Sequence, residues 1–248
     1  MEWEPSIPHE IIDANQVCVW RVHLREDNFN YEELYHLLVP EEKEKASRFH
    51  FEKDKIRYIL TRGVLRNLLS FYLKQDPARV SFEYNCYGKP ILATDNNHQG
   101  DLCFNLSHSG DFALIAFSHG RNIGIDIEQI NREFDFELVA KNFFSNDEIE
   151  SIEKTKGLEQ HTLFFQYWTR KEAILKGLGK GLSNYMKELD VSMQNGNEWS
   201  SIQLIHESNV QEVWFGKDLF PDKEYAAAIA IEGGNCNLVY REYSSGIQ

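Results

Sequence analysis

The chain has 248 residues, 42% of them hydrophobic and 26% charged, and carries a formal net charge of −13. This length suits one large domain or two small ones packed together. The negative charge argues against a broad nucleic-acid surface, and no apolar run approaches the roughly 20 residues that span a membrane. We therefore expect neither nucleic acid nor a membrane as a partner.

The four cysteines are scattered along the chain and form no C-x-x-C pair. This arrangement is typical of reduced thiols rather than of a disulfide framework or a zinc site. The first residues are acidic and lack the apolar core of a signal peptide. These features predict a cytoplasmic protein.

Hydrophobic spacing predicts a strand and then helices in the first part of the chain. Residues 17–24 alternate as a half-buried strand does. Pro40 opens a charged helical segment, and residues 54–72 carry apolar side chains at helical spacing. Asp76 and Pro77 break this helix.

Three strands are predicted next, at residues 104–106, 112–117 and 123–127. Residues 107–110 form the predicted turn between the first two strands, because they combine small polar residues with a glycine.

Helices dominate the following segment, at residues 136–144, 146–152 and 159–176. Ser145 is a suitable N-cap for the second of these helices, and Gly177 is expected to end the third. Further strands are predicted near residues 191, 213, 227 and 239.

The two long helices also show a weak internal sequence repeat. Leu60-Thr61-Arg62 and Trp168-Thr169-Arg170 occupy similar places in the two long helices, and each helix is followed by a loop and strands. Two related α+β halves that join near Gly120 would explain this repeat.

Two acids in Gly124-Ile125-Asp126-Ile127-Glu128 are candidates for a metal site. Side chains alternate along a strand, so Asp126 and Glu128 point to the same face. Paired carboxylates hold a hard divalent ion such as Mg²⁺. The alternative is an exposed strand whose acidic residues face water.

A third acid, Glu172, lies four residues before Lys176 on the last long helix, so the two share a face. The pair could be an ordinary surface ion pair. However, Trp168 and the neighbouring Phe164 and Phe165 indicate a largely buried helix, where an unpaired charge is costly.

Two polar turns and a basic segment could contact phosphates. Ser107 and His108 lie in the turn predicted at residues 107–110, and Lys89 lies in a Gly-Lys-Pro turn. Each could equally be an ordinary solvated loop. The eight basic residues between Lys43 and Arg66 could bind a compact polyanion or form a solvated helix face.

Taken in order, five short motifs resemble one known family. They are Gly-Lys-Pro at 88–90, Phe-Asn-Leu-Ser-His-Ser at 104–109, Gly-Ile-Asp-Ile-Glu at 124–128, Phe-Phe-Ser at 143–145 and Trp-Thr-Arg-Lys-Glu-Ala-Ile-Leu-Lys at 168–176. This ordered set closely resembles the Sfp-type (surfactin-type) 4′-phosphopantetheinyl transferases, over residues 40–182.

The resemblance implies an α+β fold of two similar lobes related by a pseudo-twofold axis. Each lobe would pack a small antiparallel sheet with a long helix, and coenzyme A would lie in the cleft between them. The expected boundaries are 1–119 for the N-terminal lobe and 120–248 for the C-terminal lobe, which carries the metal site. A monomer is expected.

The implied activity is transfer of the 4′-phosphopantetheine arm of coenzyme A to a serine of an apo carrier protein, of the acyl, peptidyl or aryl type. The second product is 3′,5′-ADP. The implied cofactor is Mg²⁺, with Mn²⁺ as an alternative, and coenzyme A is the co-substrate.

Carried over by position, the resemblance also assigns residue roles. Asp126, Glu128 and Glu172 correspond to the metal-site acids, and Glu172 and Lys176 to the catalytic pair. The implied coenzyme A contacts are Lys45, Lys89, Ser107, His108 and Lys176. Some relatives carry a lysine where this chain has Glu42, so Arg57 or Arg62 could take over the contact to the 3′-phosphate.

The residues are also compatible with three other functions. A non-catalytic coenzyme A or nucleotide-binding protein could use the same scaffold, and a Mg²⁺-dependent phosphoester hydrolase could use the same acids. A third alternative is an interaction module that docks through its basic helix.

Overall fold

A computed structural model describes residues 2–5, 12–25, 28–93, 101–181, 184–192, 198–205 and 211–244. The helices are α1 (Tyr31–Leu37), α2 (Pro40–Ser47), α3 (Glu52–Leu73), α4 (Glu137–Phe143), α5 (Asn146–Glu153) and α6 (Leu158–Leu178). The strands are β1 (Glu4–Pro5), β2 (Gln16–His23), β3 (Phe82–Tyr84), β4 (Pro90–Leu92), β5 (Leu102–Ser109), β6 (Phe112–His119), β7 (Ile123–Gln129), β8 (Ser200–Ile205), β9 (Gln211–Leu219), β10 (Tyr225–Glu232) and β11 (Asn237–Glu242).

The strands form two main sheets and a hairpin. The first sheet has the order β1-β11-β2-β6-β5, and the second has the order β7-β10-β9-β8. Within the first sheet β11 runs parallel to both of its neighbours, and the other pairs are antiparallel. β3 and β4 form the hairpin. The predicted α+β class is confirmed.

The two sheets and the two long helices stack in four layers. Helix α3 packs Leu65 and Leu68 against Trp20 and Ile115 of the first sheet, and α6 packs against the second sheet. The facing sides of the two sheets share a third apolar cluster, built from residues such as Val19 of β2, Leu114 of β6, Ile125 of β7 and Ile229 of β10. The helices therefore lie on the outside and the sheets pack against each other.

The last strand crosses the lobe boundary that the sequence predicts at residue 120. β11 belongs to the C-terminal part of the chain but pairs with β2 in the first sheet. Arg241 of β11 also forms an ion pair with Glu4 of β1. The sheet of the first lobe thus contains residues from both ends of the chain.

The turn predicted at residues 107–110 is wrong. Ser107, His108 and Ser109 continue β5, because they pair with Leu114, Ala113 and Phe112 of β6. Only two residues turn the chain, and the first of them, Gly110, has the left-handed φ of 56° that favours glycine.

Helix α6 also ends later than the sequence predicts. Gly177 lies inside the helix, and the left-handed residue that caps it is Gly179, with φ 67°. The predicted N-cap Ser145 at the start of α5 is confirmed, and Ser145 and Glu148 bond reciprocally as a capping box. The strand predicted near Val191 is wrong: this segment is irregular, and the Val191 carbonyl accepts a hydrogen bond from the buried Arg170 guanidinium.

None of the helices in the described part of the chain combines the length and the apolar character that crossing a bilayer would require.

Candidate active site

A cavity of about 370 Å³ lies where β5, β7 and α6 meet. It brings together six of the residues that the sequence predicts for the site, namely Ser107, His108, Asp126, Glu128, Glu172 and Lys176. Leu106 and Trp168 complete its lining.

Two glycines allow α6 to lie directly on β7. A Cβ atom added to Gly124 would lie 1.9 Å from the Ala173 carbonyl oxygen and 2.4 Å from the Gly177 nitrogen. On the helix side, a Cβ atom at Gly177 would lie 2.4 Å from the ring of Trp214. Only glycine fits these positions without displacement, and the close approach sets Glu172 and Lys176 beside Asp126 and Glu128.

Asp126 is the most buried acid of the cavity, with 2% of its surface exposed. Its Oδ1 atom accepts hydrogen bonds from Lys176 Nζ at 2.6 Å and from Ser107 Oγ at 2.8 Å. Lys176 Nζ also donates to Ser107 Oγ at 2.8 Å. The Oδ2 atom of Asp126 is buried and has no hydrogen-bond partner among the described residues. One oxygen of this carboxylate therefore remains available to a ligand.

Polar side chains of β5 form hydrogen bonds with β7, which belongs to the other sheet. Asn105 Oδ1 accepts a hydrogen bond from the Ile125 backbone at 2.9 Å. Ser109 Oγ donates to Glu128 Oε2 at 2.8 Å and accepts from the Gln129 backbone at 3.0 Å. These contacts fix the orientation of Glu128 and the register of β7 relative to β5.

Burial and the charge of Asp126 raise the proton affinity of the two glutamates of the cavity. Burial, followed by the charge of Asp126, raises the pKa of Glu172 to about 7, although Lys176 opposes the shift. Burial and Asp126 also raise the pKa of Glu128, against the hydrogen bond from Ser109. At neutral pH Glu172 therefore exchanges a proton readily, as a general base must.

His108 lies at the cavity mouth, where its side chain reaches solvent. Partial loss of hydration, followed by the charges of Lys176 and Arg57, lowers its pKa. A neutral imidazole has one N–H group that can donate to an anion.

Two of the predicted coenzyme contacts lie outside the lining of this cavity. Lys45 places its ammonium 5.4 Å from the ring centroid of Tyr58. Lys89 donates to the Gly177 carbonyl at 2.8 Å.

The basic segment formed by α2 and α3 contains a buried ion network. Glu42 is buried and accepts hydrogen bonds from both Arg62 and Arg66, with Arg66 Nε 2.6 Å from Glu42 Oε2. Arg62 also stacks on Phe82, 3.9 Å from the ring centroid. Arg62 is therefore engaged within the protein, and Glu42 serves as its counter-ion.

No group of three His, Cys, Asp or Glu side chains in the described ranges is arranged so that it could hold a metal ion. The three acids of the cavity nevertheless supply the oxygen donors that Mg²⁺ prefers, and Asp126 Oδ2 is a buried acceptor without a partner. The donor set therefore fits Mg²⁺, although its side chains would have to rearrange around the ion.

Asn105 and Ser109 are not among the residues that the sequence predicts for the site. Both escape notice when residues 107–110 are taken as a turn. Had β5 been extended to residue 109, the alternation of Asn105, Ser107 and Ser109 would have placed all three side chains on one face.

Two family profiles match the chain. The profile of the 4′-phosphopantetheinyl transferase superfamily matches residues 122–230, and that of the 4′-phosphopantetheinyl transferase N-terminal region matches residues 25–120.

Individual relatives carry the same activity in their names. The 4′-phosphopantetheinyl transferase HetI of Nostoc sp. is 34% identical over 231 residues, which cover 93% of this chain and 94% of that relative. The 4′-phosphopantetheinyl transferase Sfp of Bacillus subtilis is 33% identical over 161 residues, 65% of this chain and 69% of that one. A solved structure of a holo-(acyl-carrier-protein) synthase from Bacillus anthracis, in complex with CoA (3′,5′-ADP), is 16% identical, with a TM-score of 0.34 over 45% of this chain and 94% of that chain.

Proposed function

The chain belongs to the 4′-phosphopantetheinyl transferase superfamily, and on that premise we propose that its reaction takes place in the cavity between β5, β7 and α6. The enzyme transfers the 4′-phosphopantetheine arm of coenzyme A to a serine of an apo carrier protein. The observation that carries the proposed location is the convergence of Ser107, Asp126, Glu172 and Lys176 on one cavity.

The reaction exchanges one phosphorus–oxygen bond for another. The serine oxygen of the carrier attacks the phosphorus that bears the pantetheine arm, and the bond from this phosphorus to the bridging oxygen of the pyrophosphate breaks. The serine loses its proton, and 3′,5′-ADP leaves with the bridging oxygen. Such transfers depend mainly on positioning and on neutralisation of charge.

Three side chains supply these functions in the proposal. Glu172, whose pKa is about 7, accepts the serine proton directly or through a water molecule. Lys176 neutralises the leaving phosphate, and its ammonium is already oriented by Asp126 and Ser107. His108 binds a phosphate oxygen at the cavity mouth.

Asp126, Glu128 and Glu172 would hold Mg²⁺, for which the unpartnered Asp126 Oδ2 atom is the main support. The ion supplies charge neutralisation to the pyrophosphate when it is bound.

The remaining assignments stay predictions. Lys45 and Lys89 stay predicted coenzyme A contacts, and the lobe boundary at 119/120 is proposed with β11 as the strand that returns to the first lobe. A monomer in the cytoplasm is the proposed state. The four cysteines, all within the described residues and all without a disulfide, support a reducing compartment.

The test is the intact mass of an apo carrier protein after incubation with the enzyme, coenzyme A and Mg²⁺, with and without EDTA. We expect the carrier to gain one phosphopantetheine and the gain to disappear with EDTA. No gain across acyl, peptidyl and aryl carriers would favour a coenzyme A-binding protein instead. Release of 3′,5′-ADP without any carrier would favour a hydrolase.

A further inference from the structure

Lys89 bonds main-chain atoms of the two elements that carry the site. It lies at the end of the loop that connects β3 to β4. Its ammonium donates to the carbonyl oxygen of Gly177 at 2.8 Å and lies 3.5 Å from the carbonyl oxygen of Ile123. These two carbonyls belong to α6 and β7 and flank the contact between Gly177 and Gly124.

Asn85, at the start of the same loop, bonds the same helix end. Its Nδ2 atom donates to the Gly179 carbonyl at 2.7 Å. Its Oδ1 atom accepts from the backbone nitrogens of Tyr87 and Lys89, each at 2.9 Å. Asn85 therefore shapes the loop and attaches it to the residue that ends α6.

The last turn of any helix leaves carbonyl oxygens without intrahelical partners. Here the backbone of Lys180 bonds the Leu175 carbonyl at 2.9 Å, and that of Gly179 bonds the Lys176 carbonyl at 3.2 Å. The Gly177 carbonyl receives the Lys89 ammonium instead. A positive charge is favourable at this negative end of the helix dipole.

Lys89 keeps its charge in this position. Burial lowers its pKa to about 8, so the amine is still mostly protonated at pH 7. Its contacts are main-chain carbonyls rather than carboxylates, and therefore they tie down backbone and not another mobile side chain.

We propose that Lys89 and Asn85 are positioning residues, which fasten the C-terminal end of α6 to β7 and thereby hold Lys176 within hydrogen-bond reach of Asp126. Lys176 is one residue before the carbonyl that Lys89 binds. The consequence for catalysis rests on the proposed function, whereas the fastening itself does not.

Direct contact of Lys89 with coenzyme A makes a different kinetic prediction. A lost phosphate contact would raise the KM for coenzyme A, most strongly in Lys89→Met, and in Asn85→Ala only as far as the loop that carries Lys89 shifts. Loss of the fastening would instead lower kcat in both variants, because both residues bind the same helix end.

The experiment compares Lys89→Met, Lys89→Arg, Asn85→Ala and the double variant Lys89→Met/Asn85→Ala. The control is Glu83→Gln, an exposed residue of the same hairpin. We expect Lys89→Met and Asn85→Ala each to lower kcat about tenfold, since small displacements of a positioned group cost this much, with the KM for coenzyme A changed less than about threefold. Lys89→Arg should keep most of the wild-type kcat. The fold-decrease in kcat of the double variant should be smaller than the product of the fold-decreases of the two single variants.

Hydrogen exchange of the same proteins tests the fastening without any turnover. We expect the amides of residues 175–181 to exchange faster in Lys89→Met and Asn85→Ala than in the wild type, with no change in Glu83→Gln. Unchanged exchange in this segment would overturn the proposal, as would a raised KM in Lys89→Met alone. An inactive wild type would instead count against the proposed function, and the exchange result would still decide the fastening.

Discussion

At the scale of single residues, the cavity contains more acidic than basic side chains. Asp126, Glu128 and Glu172 are three acids, and Lys176 is the cation that bonds one of them. Burial, followed by the charge of Asp126, raises the pKa of Glu172 to about 7, although Lys176 opposes the shift. This excess of negative charge is one basis for the proposal that the cavity binds Mg²⁺ together with the pyrophosphate of coenzyme A.

Replacement of Glu172 by Gln should remove the proposed base while keeping its size. We expect kcat to fall by about 10²- to 10⁴-fold, the usual contribution of a positioned acid or base, with little change in thermal stability. The matched control is Glu159→Gln, an exposed residue in the first turn of the same helix. A Glu172→Gln enzyme with more than about a tenth of the normal kcat, measured by carrier mass, would exclude this residue as the base.

Binding of Mg²⁺ should depend on pH because Glu172 must lose its proton to coordinate the ion. Its pKa of about 7 means that protonation competes more strongly as the pH falls. We therefore expect the apparent affinity for Mg²⁺ to rise between pH 6 and 8, by up to about tenfold per unit below pH 7.

Titration calorimetry at several pH values measures this affinity and the protons released. Glu172→Gln should lose most of the dependence around pH 7. An affinity that stays constant from pH 6 to 8 in the wild type would argue against Glu172 as a ligand.

At the scale of elements, the site depends on the contact between α6 and β7. Gly124 and Gly177 set the distance between them on one side of the helix. On another side, the buried Lys171 ammonium bonds Glu148 of α5 at 2.9 Å and the Met186 carbonyl at 2.7 Å. The helix is thus held from two directions, which limits where Glu172 and Lys176 can lie.

Gly124→Ala tests this contact, because the new methyl group would overlap the Ala173 carbonyl. We expect the free energy of unfolding to fall by about 1–3 kcal/mol, as in other overpacked cores, and kcat to fall with it. Urea denaturation and the carrier assay measure the two effects.

The control for this substitution is Gly234→Ala, where no atom lies within 4 Å of the added Cβ. If Gly124→Ala were as stable and as active as Gly234→Ala, the close approach would not be what positions α6.

At the scale of the whole molecule, the two sheets share one of the apolar clusters of the core. Val19 and Leu114 of the first sheet and Ile125 and Ile229 of the second are fully buried in a common cluster. β11 adds a second link, because it follows the second sheet along the chain but pairs in the first. We infer that the two lobes unfold together.

Ile229→Ala should therefore destabilise both lobes. We expect a loss of about 2–5 kcal/mol in the free energy of unfolding, with faster hydrogen exchange in α3 as well as in α6. Val213→Ala on β9 is the control, because Val213 is 39% exposed and should cost far less. Faster exchange confined to α6 would show that the lobes unfold separately.

The amino-acid sequence by itself determined the elements whose patterns are local. The spacing of apolar residues predicted α3 and α6, alternation predicted β2 and β7, and Ser145 predicted the start of α5. Strand alternation also predicted that Asp126 and Glu128 lie on one face, and both line the cavity. Such features depend on neighbours within a few residues, so they can be predicted from the sequence.

Only the tertiary structure decided which segments meet. The pairing of β11 with β2, the extension of β5 to Ser109 by its ladder with β6, and the use of Gly177 as a contact rather than a helix end all depend on residues far apart in sequence. Lys89 is the clearest case, since the sequence predicts a lysine on a turn and the fold buries its ammonium against α6. Burial and long-range hydrogen bonds set these outcomes, and a local pattern of residues carries neither.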